Sequence, residues 1–217
     1  RRFNSATQLY KYIFKLSVEL PYSMQPEIRK QIFDRSLAVT SNSLNSQRNR
    51  HHHLWVLWNI ISHENAWSRD DKLRRQEIAF HIKTLNITQA LLQEIVPEED
   101  HNKNELLSTT YSVLRELLLQ YANGASGRDD NWADISKKYH SEFKKGLDLY
   151  LTGLTVKDIS IREDILKSLG KILNIAEIGD TTHPFHREGI FFYNKYFTNQ
   201  AKALEKQSKD LLMMAEK

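Results

Sequence analysis

The residues best suited to chemistry lie together at Arg48-Asn49-Arg50-His51-His52-His53. Four of the nine histidines fall between Arg48 and His63, with two of the four tryptophans. An imidazole with an unperturbed pKa of ~6.5 can give or take a proton near neutral pH. A guanidinium grips phosphate oxygens through its planar fork. Metal binding is the other chemistry histidines offer, and their spacing argues against it. His51, His52 and His53 are adjacent, so they splay around a helix and cannot all face one ion. His183 and His186 are better spaced, but Pro184 lies between them and no carboxylate ligand is assigned to them. Glu98-x-x-His101 falls in a polar stretch, whereas a di-iron bundle needs such pairs on two facing helices with further glutamates. There is no cysteine, which removes thiolate metal sites, iron–sulfur clusters, disulfides and cysteine nucleophiles. No metal and no cofactor are expected.

Arg48, the polar Asn49, three further residues and His53 resemble the catalytic motif of HEPN-family ribonucleases, all-helical domains that often dimerise to make a composite site. The resemblance spans Arg48 to His53 and not the rest of the chain. It implies that Arg48 stabilises charge on the scissile phosphate. It also implies that His53 moves a proton to or from the 2′-hydroxyl or the leaving oxygen, without a metal. The same residues read equally as a solvated basic helix start ahead of a buried Leu/Trp stripe. A second resemblance rests on Tyr10-Lys11-Tyr12, Leu16, Glu19-Leu20-Pro21, Gln31-Ile32, Leu37, Val39 and Asn42. These look like the first hairpin of the small four-helix-bundle proteins encoded by intervening sequences of bacterial ribosomal RNA or accompanying diversity-generating reverse transcriptases. That likeness implies a nucleic-acid-associated accessory subunit with no catalysis of its own.

Other signatures fail. His183-Pro184-Phe185 with Arg187-Glu188-Gly189 lacks the Asn-Gly-Arg continuation of a Fic nucleotide-transfer loop, because Ile190 and Phe191 follow. It reads as a turn that packs Phe185. No phosphate-binding loop, dinucleotide glycine fingerprint, His-Glu-x-x-His or nucleophile elbow occurs.

The elements that must position these residues are helices. Ser5-Ala6-Thr7-Gln8 reads as a capping box before an apolar stripe from Leu9 to Leu20. Pro26 suits the first turn of a second helix, and Ser41 to Ser46, rich in Ser and Asn, reads as fraying. A third helix is expected from Arg50 to Glu64, with Leu54, Leu57, Trp58 and Ile61 on one stripe, and the bundle is expected to be organised around it. A fourth follows Ser68–Asp71 and ends at Pro97. Residues 98–104 read as a loop, Glu105–Tyr121 as the fifth helix and residues 123–130 as the clearest loop. Asn131–Leu151 and Ile159–Ile175 supply two more, the latter after a capping signature at Thr155–Asp158. A last helix runs from Arg187, aromatic first (Phe191, Phe192) and lysine-rich later.

The chain of 217 residues is 40% apolar and 27% charged, with seven glycines and four prolines. It is therefore expected to be globular and all-α: an antiparallel bundle or irregular helical-hairpin stack of about eight helices. Residues 1–123 form N-terminal hairpins in this reading, and residues 131–217 pack on the same or an adjoining core across loop 123–130. No run approaches the ~20 apolar residues of a membrane span. The chain opens on Arg1-Arg2 without a methionine, as a trimmed fragment would. The formal net charge of +4 permits nucleic-acid contact without implying it, with Arg48, Arg50, Arg74 and Arg75 as the candidate phosphate contacts. The leading expectation is a non-enzymatic interaction module, a subunit or adaptor of a larger assembly, intracellular in the cytoplasm or nucleus. Its expected partner is another protein, and a homo-oligomer is compatible. The alternative is the metal-independent ribonuclease using Arg48 and His53.

Overall fold

The computed structural model describes residues 26–61, 71–95, 101–125, 130–177 and 179–195. Among them the chain forms seven α-helices and no strand: α1 (Pro26–Ser41), α2 (Gln47–Ile61), α3 (Asp71–Ile95), α4 (His101–Ala125), α5 (Asp130–Thr152), α6 (Ile159–Ile172) and α7 (His186–Tyr193). Single 3₁₀ turns sit at Gly153–Thr155 and Ile175–Glu177. The fold is an all-α helical bundle. No described helix is long and apolar enough to cross a membrane. The predicted helix over residues 5–20, its capping box and the C-terminal helix past residue 195 lie outside the described residues.

The Ser/Asn-rich stretch makes a turn and a cap rather than a frayed end. The Asn42 side chain accepts the Leu44 N–H at 3.0 Å, and Asn45 donates to the Val39 carbonyl at 3.0 Å. Ser46 then caps α2, its hydroxyl accepting the Asn49 N–H at 3.3 Å and its carbonyl the Arg50 N–H at 3.0 Å. Short polar side chains compete for backbone groups, and at a helix start that competition supplies the missing partners. As a result α2 begins at Gln47, and the whole Arg48–His53 run is helical. At its other end the Ile60 carbonyl accepts from Arg29 of α1 at 2.9 Å, and the Ile61 carbonyl from Gln120 of α4. A cation at a helix C-terminus also favours the dipole.

The centre of the bundle is α4, not α2 as the sequence suggests. α4 packs against α2, α3, α5 and α6, and Val113, Leu114, Leu117 and Leu118 are fully buried. Each such side chain contributes roughly 1.5–3 kcal/mol by leaving water. A helix touched on several sides must be apolar around more of its circumference than one stripe allows, and Val113 beside Leu114 and Leu117 beside Leu118 are that signature. α4 also starts at His101 and runs through Gly124 to Ala125, so residues 101–104 and 123–125, expected in loops, are helical. Polar composition marks exposure, which a helix end tolerates as readily as a loop.

Apolar contacts join α5 to α3 and α4. A Cβ added at Gly146 of α5 would lie 2.7 Å from Leu85 of α3 and 3.5 Å from Leu114 of α4. The missing side chain lets α5 settle onto both helices. Tyr121 stacks on Phe143 with ring centroids 4.1 Å apart, and Phe185 closes on Tyr121 at 5.4 Å. Asp158, rather than Thr155, caps α6 by accepting the Ser160 N–H at 2.9 Å. Ile161, Ile165, Leu169 and Ile172 form its buried face. Asn174, at φ 49°, reverses the chain after α6 in the left-handed conformation that asparagine tolerates.

Candidate functional site

The structure separates the residues that the sequence groups at the start of α2. Arg48 and His53 are five positions apart, which places them about 140° apart around a helix. Arg48 is exposed, whereas His53 is buried at 6% exposure. The residue sharing the inward face of His53 is Arg50, three positions away and 3% exposed. Arg50 Nη1 and Nη2 donate to Glu94 Oε1 and Oε2 at 2.6 and 2.7 Å, and Nε donates to the Thr40 carbonyl at 3.0 Å. One guanidinium thus ties the start of α2 to the ends of α1 and α3, and Arg50 in turn holds the Glu94 carboxyl below its ordinary range. Arg50, expected as a phosphate contact, is thus buried and engaged through all three guanidinium nitrogens. Arg74 and Arg75 belong to α3, but their side chains lie outside the described residues.

His53 Nδ1 meets the Ser36 hydroxyl at 3.2 Å. Burial pushes its pKa down to about 4, with the charges of Arg35 and His52 adding to the effect. The imidazole is therefore neutral at neutral pH, not poised between forms as a general acid–base needs. Ser36 is itself fully buried, and this pair joins α1 to α2. His51 is partly buried and lies 3.8 Å from Glu105. Desolvation lowers its pKa and Glu105 opposes that. Among the described residues no group of three or more His, Cys, Asp or Glu side chains could hold a metal. His183 Nδ1 accepts the Phe185 N–H at 3.2 Å. It ends a turn that seats the fully buried Phe185.

A different region has the shape of a binding site. Between α5 and α7 lies a groove of about 500 Å³, within the size range of ligand pockets. Its floor is Leu147, Leu151, Leu173 and Phe192, and its rims carry Lys144, Asp148, Arg187, Glu188 and Lys195. On α5, Lys144, Leu147, Asp148 and Leu151 recur at helical spacing, as do Glu188, Phe191, Phe192 and Lys195 on and just past α7. Lys144 and Glu188 bridge the two helices at 3.2 Å. Phe191 stands at the rim with 68% of its surface exposed, while Phe192 beside it is 7% exposed. Gly189 permits the close seating of α7, since a Cβ there would lie 2.9 Å from the Leu173 carbonyl oxygen.

Sequence reading missed this groove because it notes the aromatic start of the last helix without sorting Phe191 from Phe192. A usable signal was present. Adjacent residues on a helix point about 100° apart, so Phe191 and Phe192 cannot both enter one narrow contact.

Comparison with known proteins adds no kinship: no family model matches the chain, and neither a curated protein nor a solved structure gives a significant match.

Proposed function

We propose that this chain is a non-enzymatic helical interaction module, a subunit or adaptor that engages another protein through the α5–α7 groove. The observation that carries this reading is Phe191, a phenylalanine 68% exposed beside an apolar floor. A lone exposed apolar residue is ordinary, but an aromatic next to a concave apolar surface is the arrangement of an interface anchor and its pocket. The charged rim around it fits an interface, where polar groups surround an apolar centre. His53 is buried while Arg48, about 140° away around α2, is exposed, which favours the interaction reading over the catalytic one. An intracellular setting, cytoplasmic or nuclear, suits a chain without cysteine.

A photo-crosslinking residue at position 191, with one at the exposed position 166 on α6 as control, tests the proposal in the native source. Discrete protein adducts at 191 and none at 166 are expected. Absence of adducts at 191, or the same adducts at both, overturns it.

A further inference from the structure

We infer that the outward face of α2, with Arg35 of α1 beside it, binds single-stranded nucleic acid, Trp55 stacking on a base while Arg48 and Arg35 meet phosphates. This face is distinct from the α5–α7 groove, and it binds its ligand whether or not the groove holds a protein. Arg48, His52, Trp55 and Asn59 follow one another at intervals of four, three and four, so they form one stripe along α2. Trp55 is 46% exposed. The partly buried Trp58 meets its ring edge-on, with centroids 4.8 Å apart. A large aromatic ring braced by a second and open to water is a stacking platform for any base, since every base has a π-face. Its neighbours along the stripe are polar, unlike the apolar floor beside Phe191.

Charge selects the ligand. No Asp or Glu occurs between Asp34 and Glu64, the longest interval without one in the chain. Asp34 itself is turned to Lys83 of α3, at 3.8 Å. Among the described residues the carboxylates that reach α2 are Glu94, on Arg50, and Glu105, near His51, and neither partner belongs to the stripe. Arg35 and Arg48 are both exposed, and among the described residues neither forms an ion pair. Burial lowers the pKa of His53, and the charges of Arg35 and His52 add to it, so a cation of α1 stands across the seam beside the stripe. A face with cations and no carboxylate of its own attracts a polyanion. Trp55 lies two helical turns from Arg48, about 10 Å along the axis, a span that a few nucleotides of extended strand cover. A single strand offers phosphates and unstacked bases together, whereas a duplex keeps its base faces stacked.

Fluorescence anisotropy of the full chain with labelled oligouridine RNA and oligothymidine DNA, each of about 12 nucleotides, tests this at salt from about 20 to about 200 mM. The expected Kd is on the order of 1–100 µM, with a log–log salt slope near −1.4 for two phosphate contacts. Binding of either strand supports the inference, and the two arms show whether the 2′-hydroxyl matters. Trp55→Ala should weaken binding at least ~fivefold, and Trp55→Phe should retain most of it. Arg48→Ala should weaken it and flatten the slope by about 0.7, whereas Lys167→Ala, which removes an exposed cation from α6, should change neither. Unaltered circular dichroism and melting temperature establish that each variant is folded. Leu44, 92% exposed on the turn before α2, and Trp55 also suit a lipid surface, so anionic phospholipid vesicles are the competing probe. Binding of neither strand overturns the inference, with or without binding of vesicles. So does binding that Trp55→Ala leaves intact, or that Lys167→Ala weakens as much as Arg48→Ala.

Discussion

The seam between α1, α2 and α3 and the face between α5 and α7 use opposite arrangements of the same residue classes. The first turns polar groups inward: Ser36, Thr40, Arg50, His53, His81, Thr84 and Thr88 are all buried. The hydroxyls of Thr84 and Thr88 return to carbonyls of their own helix, and Arg50 is paired with Glu94. Around α5 and α7 the described interior is mostly apolar and aromatic, and apolar surface is turned outward at Ile190, Phe191 and Tyr193. A cluster of arginines and histidines drew attention to the first region as a place for chemistry. Burial makes it a fastening between helices instead. The region with no chemical signature is the one with an exposed phenylalanine beside a groove.

Acid should break this contrast most strongly. His53 and His81 are both pushed down to about 4, chiefly by burial, with Arg35 and His52 adding to it at His53 and Arg29 at His81. Each imidazole binds a proton less readily when folded than when unfolded. The unfolded chain therefore holds the extra protons between pH 4 and 6.5, and stability rises with pH across that window. The contribution is intact above pH 6.5 and lost as pH falls toward 4, by roughly 3 kcal/mol for each histidine at the limit. Urea unfolding at pH 7 and pH 4.5 measures it. His53→Gln should reduce the difference, and an unchanged pH dependence in that variant would refute the assignment.

Truncating the neighbouring aromatics separates core from surface. Phe192→Ala should cost about 3 kcal/mol by opening a cavity under α7, and Phe191→Ala less than about 0.5 kcal/mol. Equal costs in thermal melts would mean that Phe191 is packed. At the polar seam, Glu94→Ala leaves Arg50 buried without its carboxylate. Loss of one partner of a fully buried pair costs ~3–5 kcal/mol. The Glu94 side chain is 46% exposed, and water can replace part of the bond, so about 2 kcal/mol is expected. A neutral result in denaturant titration would reduce the pair to an ordinary surface ion pair.

The smallest effect sharpens the comparison at α2. Arg48→Ala should change stability by less than about 0.5 kcal/mol. Purified protein should leave diverse RNAs intact, with or without Arg48→Ala or His53→Ala. Metal-independent cleavage abolished by both substitutions would restore the ribonuclease reading and displace the proposed one.

The helical stripes were legible because spacing alone places Leu54, Leu57 and Ile61, or Ile161, Ile165 and Leu169, on one face. Boundaries were less so. Ser46 reads as fraying until its hydroxyl is seen on the Asn49 N–H, since the same side chain opposes a helix interior and favours a helix start. The fate of Arg50 was not legible at all. Its partners Thr40 and Glu94 stand 10 and 44 positions away, and no local pattern records so distant a pairing.

Local periodicity and capping chemistry are properties of neighbouring residues, so the sequence by itself determined that the chain is all-α, roughly where its helices lie and which stripes are apolar. The tertiary structure alone decided that α4 is the centre, that Arg50 and His53 are enclosed while Arg48 is not, and that Phe191 borders a groove. Those outcomes depend on which helix meets which. Long-range packing sets the burial of each side chain, and burial sets whether a charged or aromatic group fastens the fold or remains available to a partner.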